Sequence, residues 1–274
     1  MIKRKKQREY QKGCSKVNGG IKSMTVLLLL SITLPLMAEF KEKPDSNTLW
    51  IENGKAISTS GKNYWITPFW RLNGLQVTGI KEGGFKIEPS GKSNAMSRIV
   101  PISKDYPWLV LELEKVDVKE DYNAIVIPSG IIITNDIPSA TIVIQPEMKN
   151  NSLRMDFHGA DFFVKSVSMV KTPDFYLETI KEKDGKVCFR VTGKRKVEDV
   201  VINFTENNGR EVRLNGSSSL QLSVRKSNPL VWERIIDIES LSATTKSGLL
   251  ARVSINGGGV TKPVLTCLRN LIGD

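Results

Sequence analysis

One histidine, His158, serves the whole chain of 274 residues, which narrows the acid–base chemistry open to it. A zinc site built from several histidines is excluded. Any Ser-His-Asp triad would have to run through His158, and no Gly-x-Ser-x-Gly elbow accompanies it. His158 closes the run Ser152–His158, where Arg154, Asp156 and His158 alternate with Leu153, Met155 and Phe157. Alternation at period two puts the polar trio on one face of a strand. Such a trio suits the lining of a ligand groove, and it equally suits a solvated sheet face.

Carboxylates and aromatic rings are the other carriers of chemistry. Glycoside hydrolysis takes two carboxyl groups held about 5–10 Å apart. Glu112 and Glu114 alternate with Leu111 and Leu113, which sets them on one strand face at about 7 Å. Alternating glutamates are also ordinary on the wet face of a strand, and the expectation is that the chain is not an enzyme. Asp117, Glu120 and Asp121 read as a solvated turn. Sugar binding would use aromatic faces, with a few polar groups fixing hydroxyls. Trp50, Trp65, Trp70 and Trp108 lie in the first half, and the cluster Tyr64–Trp70 is dense in rings and broken by Pro68. Tyr64, Trp65 and Trp70 are the candidates for an exposed platform, with burial in a core as the alternative.

Cys188 and Cys267 sit in apolar, strand-like runs. They are the candidate disulfide, and closing a loop of that length stabilises by about 4 kcal/mol in the chain-entropy model. Two buried free thiols are the alternative reading. Asn150-Asn151-Ser152, Asn203-Phe204-Thr205 and Asn215-Gly216-Ser217 are glycosylation tripeptides that matter only in a glycosylating host. Lys194-Arg195-Lys196 reads as a hairpin tip, or else as a patch for an acidic polymer. Basic residues are not interleaved with aromatics, so no nucleic-acid partner is expected. No cofactor or metal is expected either.

The elements that must position these residues are strands. Beyond residue 39 the chain runs in short alternating or β-branched segments punctuated by Gly, Pro, Asn and Asp, which argues for an all-β fold. Expected strands include Phe85–Glu88, Trp108–Glu114, Ala140–Gln145, Ser152–His158 and Phe162–Val170. After a linker at Lys171-Thr172-Pro173-Asp174 come Phe175–Ile180, Lys186–Val191, Asp199–Phe204, Trp232–Ile238, Leu249–Ile255 and Val264–Leu268. The expectation is two β-sandwiches in tandem, jelly-roll-like at 44–172 and immunoglobulin-like at 174–274.

The stretch Leu153–Val170 (LRMDFHGADFFVKSVSMV) resembles the closing hairpin of carbohydrate-binding modules and galactose-binding-like jelly rolls. In those families a strand ends at a Gly and returns in a strand that often carries acidic residues near a structural calcium. The matching positions here are Lys165 and Ser166, which speaks against such an ion site. The resemblance implies carbohydrate binding by the first sandwich, the second acting as spacer or docking module. The alternatives are a structural or adhesion-type surface protein that binds another protein, and a glycoside-active enzyme or accessory subunit.

Charge fits an exported chain. The formal +11 is concentrated in residues 1–38, where eight Lys and Arg face one Glu. That basic stretch precedes the apolar run Val26–Met37 and Ala38, the pattern of a signal peptide cleaved after Ala38. An uncleaved anchor through residues 24–38 is the competing reading, and a start at Met24 would remove every leader Lys and Arg. Residues 39–172 hold 16 basic and 16 acidic groups, and residues 173–274 hold 16 and 12. The expected location is periplasmic, cell-surface or secreted, with membrane contact only through the leader.

Overall fold

Period-two alternation decides the backbone, as Ser152–His158 shows: Leu153, Met155 and Phe157 are fully buried, while Arg154 between them is exposed. The computed structural model describes residues 64–66, 70–79, 84–99, 107–147, 152–206, 209–214, 216–237 and 248–268. The leader expected at residues 1–38, Trp50, Asn150, Asn151 and Asn215 lie outside them. Among the described residues every helix-or-strand element is a strand.

In chain order these are β1 (Tyr64–Ile66), β2 (Trp70–Asn73), β3 (Leu75–Gly79), β4 (Phe85–Pro89), β5 (Ala95–Ile99), β6 (Trp108–Val118) and β7 (Ala124–Ile127). There follow β8 (Gly130–Ile133), β9 (Ala140–Ile144), β10 (Ser152–His158), β11 (Ala160–Val170), β12 (Phe175–Lys181), β13 (Lys186–Gly193) and β14 (Asp199–Glu206). The last are β15 (Glu211–Val212), β16 (Ser219–Gln221), β17 (Ser223–Arg225), β18 (Asn228–Asp237), β19 (Leu249–Asn256) and β20 (Val264–Leu268).

They form three sheets. A six-stranded sheet runs β1-β2-β5-β10-β7-β8, and a four-stranded sheet runs β12-β13-β18-β17. Between them in the packing is a ten-stranded sheet, β15-β14-β19-β20-β9-β6-β11-β4-β3, with β16 also on β14. This large sheet takes strands from both sides of the 171–174 connection. The join is the parallel pair β9–β20, with Val264 opposite Thr141 and Leu265 opposite Ile142. The architecture shown is therefore coarser than two tandem sandwiches: packed all-β sheets with one sheet in common.

Two cores follow. The six-stranded sheet packs Trp70, Met96, Ile125 and Phe157 against Ile87, Leu111, Phe162 and Val164 of the large sheet. The four-stranded sheet packs Phe189, Val191 and Trp232 against Val200, Ile202 and Phe204 at its other end, the Phe189 and Phe204 rings 5.1 Å apart. The central strands feed both cores. From β6, Leu109 and Leu111 enter the first and Trp108 the second; from β9, Ile142 enters the first and Val143 the second. Burial on both faces explains the continuous apolar runs Trp108–Leu111 and Ile142–Ile144 within these strands.

The expected closing hairpin is corrected. β10 and β11 flank Gly159 but do not pair, since β10 lies in the six-stranded sheet and β11 in the large one. Gly159 turns the corner at φ 70°, and a Cβ there would sit 1.9 Å from the Tyr122 carbonyl oxygen, so only glycine fits. The Phe157 and Phe162 rings meet edge-on at 5.3 Å on either side of that corner.

Candidate functional site

One face of β6 passes through three environments in succession. Trp108 is buried in the second core, Val110 is half-buried at its border, Glu112 is half-buried beyond it, and Glu114 is exposed. At Glu112 a cleft of about 370 Å³ opens. Its floor is β6, β9 and β11, contributing Glu112, Thr141 and Ser168. Its walls are the 171–174 connection, the turn after β13 and the loop entering β20.

Local sequence explains those walls. Gly193 ends β13 against Phe175, where a Cβ would lie 2.4 Å from the ring. The chain then crosses from the four-stranded sheet to β14 of the large sheet through Lys194-Arg195-Lys196. That triplet is exposed, but it links two sheets and is not a hairpin tip. Opposite it, Gly257, Gly258 and Gly259 hold φ of 85°, 61° and 71° in succession, a left-handed run that side chains disfavour. The turn is closed by the Val260 N–H donating to the Gly257 carbonyl at 3.2 Å. Gly258 passes so near the Lys196 carbonyl that a Cβ would lie 2.8 Å from it. This turn delivers Thr261 and Lys262 to the cleft beside Arg195.

The charges in and around the cleft are unevenly satisfied. Lys262 Nζ lies 2.7 Å from Glu114 Oε1, and Lys165 Nζ approaches the same oxygen at 3.9 Å. Lys194 Nζ reaches Asp174 Oδ1 at 3.3 Å. Arg195 holds its guanidinium 5.7 Å from the Phe175 ring centre, a cation–π contact. Glu112, flanked in register by Ser166 and Thr141, has no ion-pair or hydrogen-bond partner among the described residues. Its carboxylate and the Arg195 fork therefore keep hydrogen-bonding capacity to spend on a ligand.

A second cleft, about 530 Å³, lies along the edge of β12 between Trp108, Glu178, Arg190 and Cys267. Its polar groups are more committed. Arg190 is bound to Glu233 at 3.1 Å, and the Ser129 hydroxyl donates to the Gln145 carbonyl at 2.8 Å while accepting from the Glu147 N–H.

The candidates from sequence fall in different places. Trp70 is corrected: it is fully buried (0% exposed) in the first core and cannot be a platform. Trp108 and Trp232 are also buried, Trp108 lying against Tyr176 with ring centres 4.8 Å apart. Tyr64 and Trp65 lie on β1, Trp65 opposite Arg71 of β2. Arg154, Asp156 and His158 stand on β10, remote in the strand order from β6, and the Arg154 guanidinium donates two hydrogen bonds to Asp156, at 2.7 and 2.9 Å. The disulfide is also corrected. Cys188 is on β13 and Cys267 on β20, in different sheets, and no disulfide joins them. Cys267 donates to the Ile131 carbonyl at 3.3 Å, and burial pushes the Cys188 thiol pKa up. Asn203 spends its amide on the Ser218 carbonyl at 3.2 Å, within β14. Among the described residues the large exposed hydrophobics are Val118 at the end of β6, Tyr122 in the segment that follows it, and Val224 and Ile235 on β17 and β18.

Two features escaped sequence reasoning. The triple glycine before Val260 was visible as a turn signal, but nothing in it says which strands it wraps. Asp161 is a buried carboxylate held by Lys86 Nζ at 2.9 Å and by Lys119. Burial alone would raise its pKa; hydrogen bonds and charge from Lys119 and Lys86 overcome this and hold it below the usual carboxylate range. Its position just after Gly159 was the available signal.

Fold and site together define a class: an all-β protein of packed sheets with a mixed-charge cleft over the shared sheet. No protein-family model matches the chain, and no curated protein matches it. Among solved structures it matches a beta-1,2-glucanase from Parabacteroides distasonis at 7% identity and a TM-score of 0.22, over 81% of this chain and 36% of that one. The chain thus spans about a third of that enzyme's length. The expectation that the chain is not an enzyme is not upheld: the solved structure it matches is a glucanase, and so remote a likeness decides catalysis in neither direction. A likeness at that TM-score assigns no activity here.

Proposed function

We propose that this chain binds a carbohydrate in the cleft at Glu112. The observation that carries the reading is the half-buried Glu112 carboxylate, unpartnered among the described residues, on a floor that also bears Thr141 and Ser168. Vicinal sugar hydroxyls donate well to a carboxylate and accept well from a guanidinium. A cleft of about 370 Å³ falls in the size range of small-ligand sites. Binding in this reading rests on polar groups and not on a tryptophan face. The basic, apolar leader supports export, which would bring the cleft to extracellular or periplasmic glycans.

The test is a screen of the purified chain against oligosaccharides, with Glu112→Gln alongside. Retention of glycans by the wild type and their loss from a folded Glu112→Gln variant supports the reading; equal retention by both overturns it. Turnover of retained glycans is assayed in the same samples.

A further inference from the structure

The cleft walls carry more positive charge than neutral sugar recognition requires. Among the described residues, Lys194, Arg195 and Lys262 line it against two acidic side chains, Glu112 and Asp174. At the rim, Glu114 is the single carboxylate shared by Lys262 and Lys165. Arg195, with its guanidinium over Phe175, has no carboxylate partner among the described residues.

The floor and the walls therefore differ in kind. The floor offers one unpartnered carboxylate and hydroxyls, a surface for hydroxyl donors. Arg195 projects from the wall, braced on the Phe175 ring, with a planar fork of donors that matches a carboxylate or sulfate group. Facing it, the Gly257–Gly259 turn removes side chains from the approach: a Cβ at Gly259 would meet nothing within 4 Å.

Resting on the carbohydrate reading above, we infer that the cleft selects an acidic saccharide, its hydroxyls on Glu112 and its anionic substituent on Arg195. Carboxylated and sulfated sugars share this chemistry, and the test separates them.

The experiment is isothermal titration of the full chain with a neutral oligosaccharide, its uronate counterpart and its sulfated counterpart, repeated with Arg195→Ala and with Lys226→Ala. Lys226 is exposed beyond β17 and does not line the cleft, so it controls for net charge. The inference expects at least one acidic form to bind tenfold or more tighter than the neutral form. Arg195→Ala should erase that difference and Lys226→Ala should keep it. Preference for uronate alone or sulfate alone identifies the group. Equal binding of neutral and acidic forms overturns the inference and leaves the carbohydrate reading standing, as does a preference that survives Arg195→Ala. Binding of no saccharide at all overturns the underlying reading.

Discussion

Lys262 gives its ammonium to Glu114 at 2.7 Å, while Glu112, two residues earlier on the same face of β6, receives none. Lys262 thus lines the cleft with its charge already matched by Glu114, and the Glu112 carboxylate on the floor stays available. Glu112→Gln should therefore cost little stability, within about 0.5 kcal/mol, as for substitutions that break no native contact. Its effect on glycan affinity should be large, a loss of about 1.5–3 kcal/mol for removing a charged hydrogen-bond acceptor. Urea denaturation and titration of the same variant measure the two quantities separately.

Asp161 sets a pH dependence. Its folded-state pKa is depressed by Lys119 and Lys86 against the opposing effect of burial, so its stabilisation is complete above the ordinary carboxylate range. That stabilisation is lost as pH falls through the depressed value. Asp161→Asn should lower stability near pH 7 by about 1.5–3 kcal/mol, and the gap between variant and wild type should shrink towards pH 2. Chemical denaturation at several pH values checks this, and a gap that persists unchanged at low pH would count against the ion-pair account.

Trp70 is a core residue, so Trp70→Ala should destabilise by about 3–5 kcal/mol. Its partner in the earlier expectation, Trp65, pairs with Arg71 at the sheet edge formed by β1 and β2. Thermal melts of Trp70→Ala decide the matter: a variant as stable as the wild type would contradict the packing described.

Cys188 and Cys267 should both be alkylated without prior reduction. Cys267, half-buried, should react in the native protein, and the buried Cys188, whose thiol pKa is raised, should react only on unfolding. Peptide mass spectrometry resolves them, and a linked Cys188–Cys267 peptide would refute the assignment.

The strands with clean alternation were readable directly. Ser152–His158 and Lys186–Val191 appear nearly where period-two patterning puts them, because one buried face is enough to specify a strand. The three- to five-residue strands β1, β2, β3 and β5 were missed, their alternation being too brief to stand out from loop sequence. The shared sheet was hidden for a different reason. Its join pairs Thr141 with Val264, and no local pattern announces a parallel pairing across that separation. The shared face of Glu112 and Glu114 was legible from spacing. What makes Glu112 different from Glu114 was not, since it depends on the 171–174 connection and the triple-glycine turn meeting over β6.

The central claim is that ligand enters over Glu112 and not over Arg154, Asp156 and His158. Amide hydrogen exchange with and without the tightest-binding glycan tests it most directly. The account predicts new protection in the 171–175 and 257–262 connections, which wall the cleft. Protection confined to β10 and its neighbour β5, or none in either connection at saturating glycan, would contradict it.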